Sequence, residues 1–293
     1  MKISATGALG ASVVSLWLIA GETAGAATLL YEGFDIPVGW LADGQAGASS
    51  FGFSSGWDVR STDAPQIVDG SIAAPASVAD LYAAGSSNGR IHNGPTAGNG
   101  IPRYAVRNSD ISAPALYASL LVQTTASGHW GGGGIQLLFD SASPYSSAGE
   151  ARLEFPGNGV WGLSLHNNGS VSAATDVLTN NSGVQLALFE FAFNYDGVND
   201  RVRLWLNDNP LVAIPDAELD YNFSTNGILR QFIFTSGADE VLALDELRVG
   251  ESWADVGVAA VPAPATAWLL GSGLFGLAGA LRRNRRVVGV EST

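Results

Sequence analysis

Phe189-Glu190-Phe191-Ala192-Phe193-Asn194-Tyr195-Asp196-Gly197-Val198-Asn199-Asp200-Arg201-Val202-Arg203-Leu204-Trp205-Leu206 is the stretch whose reading decides the fold. Phe189, Phe191, Phe193 and Tyr195 recur at every second position, and Glu190, Ala192 and Asn194 fill the positions between them. A period of two is the signature of a strand with one buried face. Residues 196–200 are turn-forming by composition, since Asp and Asn bond their own backbone and Gly tolerates positive φ. Val202, Leu204 and Leu206 then return opposite Arg203 and Trp205. The pattern predicts a hairpin in which an aromatic row and an aliphatic row form one apolar surface, the kind of surface that two stacked sheets bury.

The same period extends outward from this hairpin. Leu116, Ala118, Leu120 and Val122 alternate with Tyr117, Ser119, Leu121 and Gln123. Residues 134–139, 152–155, 160–166, 228–234 and 241–249 supply further strands. The body shows no long amphipathic helix and no repeat of fixed period. With 37 Gly and 12 Pro in 293 residues, 46% hydrophobic and only 14% charged, the chain suits many short strands joined by tight turns. The expectation is an all-β sandwich. Residues 36–105, crowded with Gly, Ser, Ala and Pro, are expected to form long loops.

Charge excludes one class of partner. Residues 27–260 hold 25 Asp or Glu against nine Arg, and the only Lys is Lys2. Such a body repels phosphates, so nucleic acid is not a partner. With no Cys, disulfides contribute nothing to stability.

Both ends read as addresses. Residues 1–26 combine Lys2, an apolar run from Ala8 to Ala20, and Ala24-Gly25-Ala26, where Ala24 and Ala26 are the small residues that a signal peptidase requires. At the other end, Val261-Pro262-Ala263-Pro264-Ala265 precedes an uncharged stretch, residues 266–281, and then Arg282-Arg283-Asn284-Arg285-Arg286. At about 1.5 Å per residue that stretch reaches roughly 24–26 Å as a helix, a short single span. The Arg cluster keeps the tail cytoplasmic. The chain thus divides into a signal peptide (1–26), a β-sandwich (27–256), a linker with a sorting motif (257–265), a transmembrane helix (266–281) and a basic tail (282–293).

Residues 261–286 resemble a PEP-CTERM sorting signal of the Val-Pro-x-Pro variety, with Val261, Pro262, Ala263 and Pro264 as the motif. The name-giving Glu of that family is Ala263 here. The resemblance implies processing by an exosortase-type enzyme in a Gram-negative bacterium. The protein would then pass through the inner membrane to the cell surface or an exopolysaccharide matrix. Leu30-Tyr31-Glu32-Gly33-Phe34-Asp35, Tyr195-Asp196-Gly197 with residues 202–207, and Leu244-Asp245-Glu246-Leu247-Arg248-Val249-Gly250 with Ser252-Trp253 look like parts of concanavalin A-like (laminin-G-like) jelly rolls. That resemblance implies that the first and last strands of the domain pair.

Candidate chemistry is sparse. Glu150 and Glu154 share a strand face with Arg152 between them, which reads either as a carboxylate pair or as a neutralised surface row. Asp245 and Glu246, being adjacent, are expected on opposite faces of a strand, with one of them in solvent. His92, His129 and His166 are scattered, and a loop or turn position is expected for each. Asp196, Asn199 and Asp200 cluster in one turn beside Asn194, with Asp245 as a distant fifth oxygen donor. The cluster is either an Asx turn or a structural calcium site, calcium being the one cofactor the sequence suggests. Trp40, Trp57, Trp130 and Trp161 are candidates for stacking on sugar rings, and each serves equally well in a core. The expected function is a non-catalytic polysaccharide-contacting or adhesive module. A jelly-roll glycosidase or lyase and a purely structural matrix protein are the alternatives.

Overall fold

The computed structural model describes residues 27–60, 64–83, 89–92, 103–125, 133–139, 149–155, 160–167, 170–179, 183–222, 227–236 and 241–258. Ala24, Ala26, Trp130, His129, the motif Val261 to Pro264 and the expected span at 266–281 lie outside them.

Among the described residues the chain forms sixteen strands: β1 (Leu30–Glu32), β2 (Gly39–Trp40), β3 (Asp58–Val59), β4 (Gln66–Asp69), β5 (Gly89–His92), β6 (Arg103–Ser112), β7 (Ala115–Thr125), β8 (Gly133–Phe139), β9 (Gly149–Phe155), β10 (Val160–Asn167), β11 (Ser170–Thr179), β12 (Gly183–Ala192), β13 (Asp200–Leu206), β14 (Ala217–Tyr221), β15 (Ile228–Ser236) and β16 (Val241–Gly250). A single 3-10 turn, Ala76–Val78, is the other regular element among them. The strands make two antiparallel sheets. The first runs β14-β13-β12-β7-β16-β5-β4-β2, with β1 also on β16, and the second runs β11-β10-β9-β8-β15-β6-β3.

The deciding hairpin forms as its pattern predicts. β12 pairs with β13 so that Phe189 faces Leu204 and Phe191 faces Val202. Phe189 and Phe191 are 2% exposed, and all four residues join the core between the sheets. Phe139 of the second sheet meets Phe191 and Phe193 of the first, each with ring centroids 5.2 Å apart. Contacts of this kind add about 0.5–1.5 kcal/mol per pair beyond the area they bury. The aromatic row stops at Phe193 because β12 ends at Ala192 and Asn194 turns to φ 48°. Tyr195 is therefore exposed rather than buried.

β1 and β16 pair antiparallel, Leu30 with Val249 and Glu32 with Leu247, so the first and last strands adjoin. Glu32, fully buried, binds Arg107 of β6 as an ion pair and so ties the first sheet to the second. It also accepts hydrogen bonds from the Phe34 amide (2.9 Å), Ser50 Oγ (2.7 Å) and Trp57 Nε1 (3.2 Å). Such satisfaction is what lets a carboxylate remain charged away from water. Gly52 closes this corner at φ 82°, where a Cβ would stand 2.1 Å from the Leu29 carbonyl oxygen, so only glycine fits.

A second, smaller core lies on the outer face of the first sheet. Residues 70–83 cross that face as a strap. Ile72, Val78, Leu81 and Tyr82 from the strap pack on Leu121, Leu186, Leu188, Trp205 and Ala243, with Val256 and Val258 completing the cluster. The expectation of loops throughout residues 36–105 is thus corrected. The stretch contains β2 to β5 and this strap, held by packing and by Asp245.

Asp245 and Glu246 also depart from expectation, since both are fully buried. The register of β16 slips between Asp245 and Arg248, and Glu246 takes φ 56°. A bulge of this kind breaks simple alternation. Asp245 accepts from Ser71 Oγ (2.6 Å), the Ile72 amide (2.7 Å) and the Glu246 amide (2.8 Å), which anchors the strap. Glu246 is bound by Arg248 (2.9 Å) and the Tyr31 hydroxyl (3.2 Å).

Candidate functional site

Cross-strand partners share a face, so register alone assembles a lateral row on the outer side of the first sheet. Trp40 of β2 is opposite Gln66 of β4, and Gln66 is opposite His92 of β5. His92 is opposite Ala243 of β16, Ala243 opposite Gln123 of β7, and Gln123 opposite Val184 of β12. Their neighbours Ile67, Ile91, Leu244 and Val122 point inward to the main core, which fixes the row as outward. Five interstrand steps of about 4.8 Å make it roughly 24 Å long. Trp40 is 53% exposed at one end. Gln66, His92 and Gln123 are half-buried along it.

Beyond Val184 the next strand, β13, ends at Leu206. Asn207 donates its amide to the Leu186 carbonyl (3.0 Å) and accepts the Leu186 amide on Oδ1 (2.8 Å). Here the strap and the end of β13 enclose a cleft of about 520 Å³, lined by Ser77, Val78, Asp80, Leu81, Asn207, Asp208 and Asn209. Val78 and Leu81 belong to the outer apolar cluster and form an apolar wall, while Asp80 and Asp208 are exposed.

The residues singled out in the sequence fall in different places. Trp57 is 1% exposed, stacked on Phe34 at 5.9 Å and edge-on to Phe232 at 6.2 Å. Trp161 is fully buried between the sheets. The expectation that these two offer sugar platforms is corrected, because their rings are spent on the core. Trp40 stands where that expectation placed them.

Glu150 does not lie on a solvated row. It is fully buried on the outer face of the second sheet, and Arg152 binds it through Nε (2.5 Å) and an η nitrogen (3.0 Å). His166 is not in a turn but in β10, 4% exposed, with Nε2 2.8 Å from Ser164 Oγ. Register puts it directly opposite Glu150. Gln231 (1% exposed) and Asn108 extend this polar patch, joined by a 2.7 Å bond from Gln231 Nε2. The patch is a buried network rather than an open platform, with Gln231 Oε1 unpartnered among the described residues.

The 196–200 turn has the geometry of an Asx turn. Asp196 Oδ1 accepts the amides of Val198 (2.9 Å) and Asn199 (2.7 Å), and Oδ2 accepts Asn199 Nδ2 (2.8 Å). The Asn199 amide first, then that of Val198 and the Asn199 side chain, hold the Asp196 carboxyl below the usual range. Asp200 Oδ1 takes the Asn194 amide (2.9 Å) and is 3% exposed. Asp245 serves the strap instead of approaching this turn, which corrects its expected place in a calcium site. The oxygens of the turn are occupied by its own N–H groups, and among the described residues no cluster of three or more His, Cys, Asp or Glu converges on a metal position.

The sequence did not single out Gln66, Asp80 or Asp208, and the loop or turn position expected for His92 is corrected, since it ends β5 between Gln66 and Ala243. Gln123 stood in a recognised alternation, but lateral register across six strands has no local signature.

No family model matches the chain, and no curated protein matches it. Solved structures resemble it at low identity. A legume lectin-like domain from Entamoeba histolytica is 10% identical, with 67% of this chain and 90% of that one covered and a TM-score of 0.42. A Bauhinia forficata lectin in complex with GalNAc is 9% identical, with 58% and 89% covered and a TM-score of 0.39. An endo-acting O-glycanase of the human gut microbiota is 9% identical, with 76% and 98% covered and a TM-score of 0.47.

Proposed function

We propose that the chain is an exported protein whose β-sandwich, of concanavalin A-like kind, contacts extracellular polysaccharide without cleaving it. One observation carries the reading: Trp40, 53% exposed, heads a row with Gln66, His92 and Gln123 along a single sheet face. An exposed indole next to amides and an imidazole suits a sugar. The ring takes the apolar C–H face and the polar side chains take the hydroxyls. Ala243 is buried with the strap, so the open part of the row runs from Trp40 through Gln66 to His92, two interstrand steps or about 10 Å, the span of one or two sugar rings.

The ends complete the proposal. Cleavage after Ala26, a span at 266–281 and exosortase-type processing at Val261 to Pro264 would deliver the domain to the surface or matrix. The pairing of β1 with β16 supports it, because the start of the first strand then lies beside the end of the last one.

Polysaccharide cleavage keeps one observation in its favour, the carboxylates of Asp80 and Asp208 in the same cleft. Acid catalysis wants one carboxyl withdrawn from water, whereas both of these are exposed. Glu150 and Glu246 are bound by Arg152 and Arg248. A pull-down of the full-length chain on a panel of insoluble polysaccharides, with reducing ends assayed in the same tubes, separates the readings. Retention without release is the expected result, and release would establish the enzyme.

A further inference from the structure

We infer that the loop between β13 and β14 is a lipid-docking tip: Leu211, Val212 and Ile214 settle into the zwitterionic surface of the membrane that the C-terminal span enters. The inference rests on the membrane anchoring proposed above and adds a second contact between the domain and that membrane.

Val212 and Ile214, 81% and 88% exposed, are the most open large apolar side chains among the described residues, and Leu211 beside them is 48% exposed. All three fall between Pro210 and Pro215. Single exposed apolar residues are ordinary, whereas a run of them marks a surface that meets something apolar. The loop is held rather than slack. Asn209 Oδ1 accepts the Leu211 amide (2.9 Å), and the Asn209 carbonyl accepts the amides of Val212 (3.1 Å) and Ala213 (2.8 Å). Trp205 donates Nε1 to the Ala213 carbonyl (3.1 Å), and Asp216 takes the Leu206 amide on Oδ2 (2.7 Å). Ala213 packs on the outer cluster while Val212 and Ile214 on either side of it remain exposed. A loop already ordered loses little conformational entropy on docking.

The place of the tip relative to the chain's exit names the occupant. Trp205, which holds Ala213, meets the Trp253 ring at 5.2 Å, and the Trp253 carbonyl takes the Val258 amide (3.0 Å). Seven residues, 259–265, then separate Val258 from the span proposed at 266–281. Fully extended they reach about 25–30 Å, less than the roughly 45 Å across a domain of about 230 residues. The side of the domain around Val258, tip included, is therefore the side near the membrane. Trp40 of β2 lies six interstrand steps from β13, about 29 Å, so a domain resting on its tip holds Trp40 away from the lipid. Charge chooses the kind of lipid. Residues 204–229 hold Asp208, Asp216, Glu218 and Asp220 and no Arg or Lys. Anionic headgroups would meet carboxylates there, whereas zwitterionic ones carry no net charge. A second copy is a poorer fit, since three side chains fall well short of the roughly 800 Å² per partner that a specific protein interface buries. Shallow insertion at the headgroup boundary needs no more than these.

The chain has no Cys, so a single introduced cysteine can carry an environment-sensitive fluorophore. The test places one at Leu211→Cys in the tip, at Val198→Cys on the turn at the other end of β13, or at Leu274→Cys in the proposed span. Each full-length protein is reconstituted in phosphatidylcholine vesicles, and quenching by brominated lipid and by aqueous iodide reports the surroundings of the label. The labels at 211 and 274 are expected in lipid and that at 198 in water. Adding Val212→Ser and Ile214→Ser should return the 211 label to water, with a fall of about 100-fold in the ratio of docked to undocked protein, and leave the 274 label in place. Phosphatidylglycerol vesicles should weaken the lipid signal at 211. A 211 label in water with the 274 label in lipid overturns the docking and leaves the anchor standing. A 274 label in water overturns the anchor, and the docking with it. Shielding of 211 from both quenchers that rises with protein density assigns the tip to a second copy instead. Lipid contact at 211 that survives the double variant belongs to the fluorophore and overturns the assignment to Val212 and Ile214.

Discussion

Exposure divides the tryptophans that the sequence offered as equals. Trp57 donates Nε1 to the buried Glu32 at 3.2 Å and fills the space between Phe34 and Phe232. Replacing it with Ala should cost about 3–5 kcal/mol, from the lost transfer energy and the cavity left behind. For a domain of this size that is a fall in Tm of roughly 6–20 °C. Trp40→Ala, at an exposed edge, should leave Tm within about 2 °C of wild type, because surface changes usually stay within about 0.5 kcal/mol. Differential scanning calorimetry on the two variants checks both numbers, and equal losses would put Trp40 in the core. The residue type was legible in the sequence, but burial was not. Trp57 is buried because β3 and its flanking loop close over one edge of the sandwich, and two-residue strands have no periodicity to read. Tyr82 offers a further check at this scale. Burial pushes its hydroxyl up to about 12, beside Ser119 Oγ and the Glu246 carbonyl, each 3.4 Å away. The folded state therefore holds a proton that the unfolded chain releases near pH 10. This contribution is full below about pH 10 and is lost as pH rises through about 12, on the order of 2–3 kcal/mol. Tyr82→Phe should flatten the fall of Tm over that window, and an unchanged slope would contradict the assignment.

At the scale of elements, the β12–β13 hairpin and the strap behave differently. The hairpin was readable because its two apolar rows obey a period of two and both face the main core. The strap was not, because residues 70–83 bury single side chains onto the outside of a sheet, with no period to mark them. What fixes the strap is Asp245, which the bulge in β16 holds beneath Ser71 and Ile72. Asp245→Asn replaces one acceptor oxygen with a donor facing an N–H or O–H group. A cost of about 1–3 kcal/mol follows from the unsatisfied group. Loss should be local first: hydrogen exchange at the amides of residues 70–83 should accelerate before that of β7 and β12. Uniform acceleration across the domain would mean that the strap is not a separate unit.

At the scale of the whole molecule, the sandwich presents two unlike outer faces. The face of the second sheet carries a buried network of Glu150, Arg152, Ser164, His166 and Gln231, in which the charges and hydroxyls answer one another. The face of the first sheet carries the strap, the Trp40 row and the cleft. Alternation along β9 and β10 revealed which residues shared a face but not that the face was buried, since burial depends on what else the chain lays over it. The domain ends are joined through β1 and β16, so a C-terminal anchor would hold the sandwich where those two strands meet. Net negative charge over the body favours neutral or amino-bearing glycans over acidic ones.

The most direct test compares wild-type full-length protein with Trp40→Ala on a glycan array, with reducing ends assayed on every spot that binds. The account predicts binding to a neutral or amino-bearing glycan, a loss of about tenfold or more in the variant with Tm preserved, and no release of sugar. Binding that is indifferent to Trp40, or cleavage of the bound glycan, would contradict it.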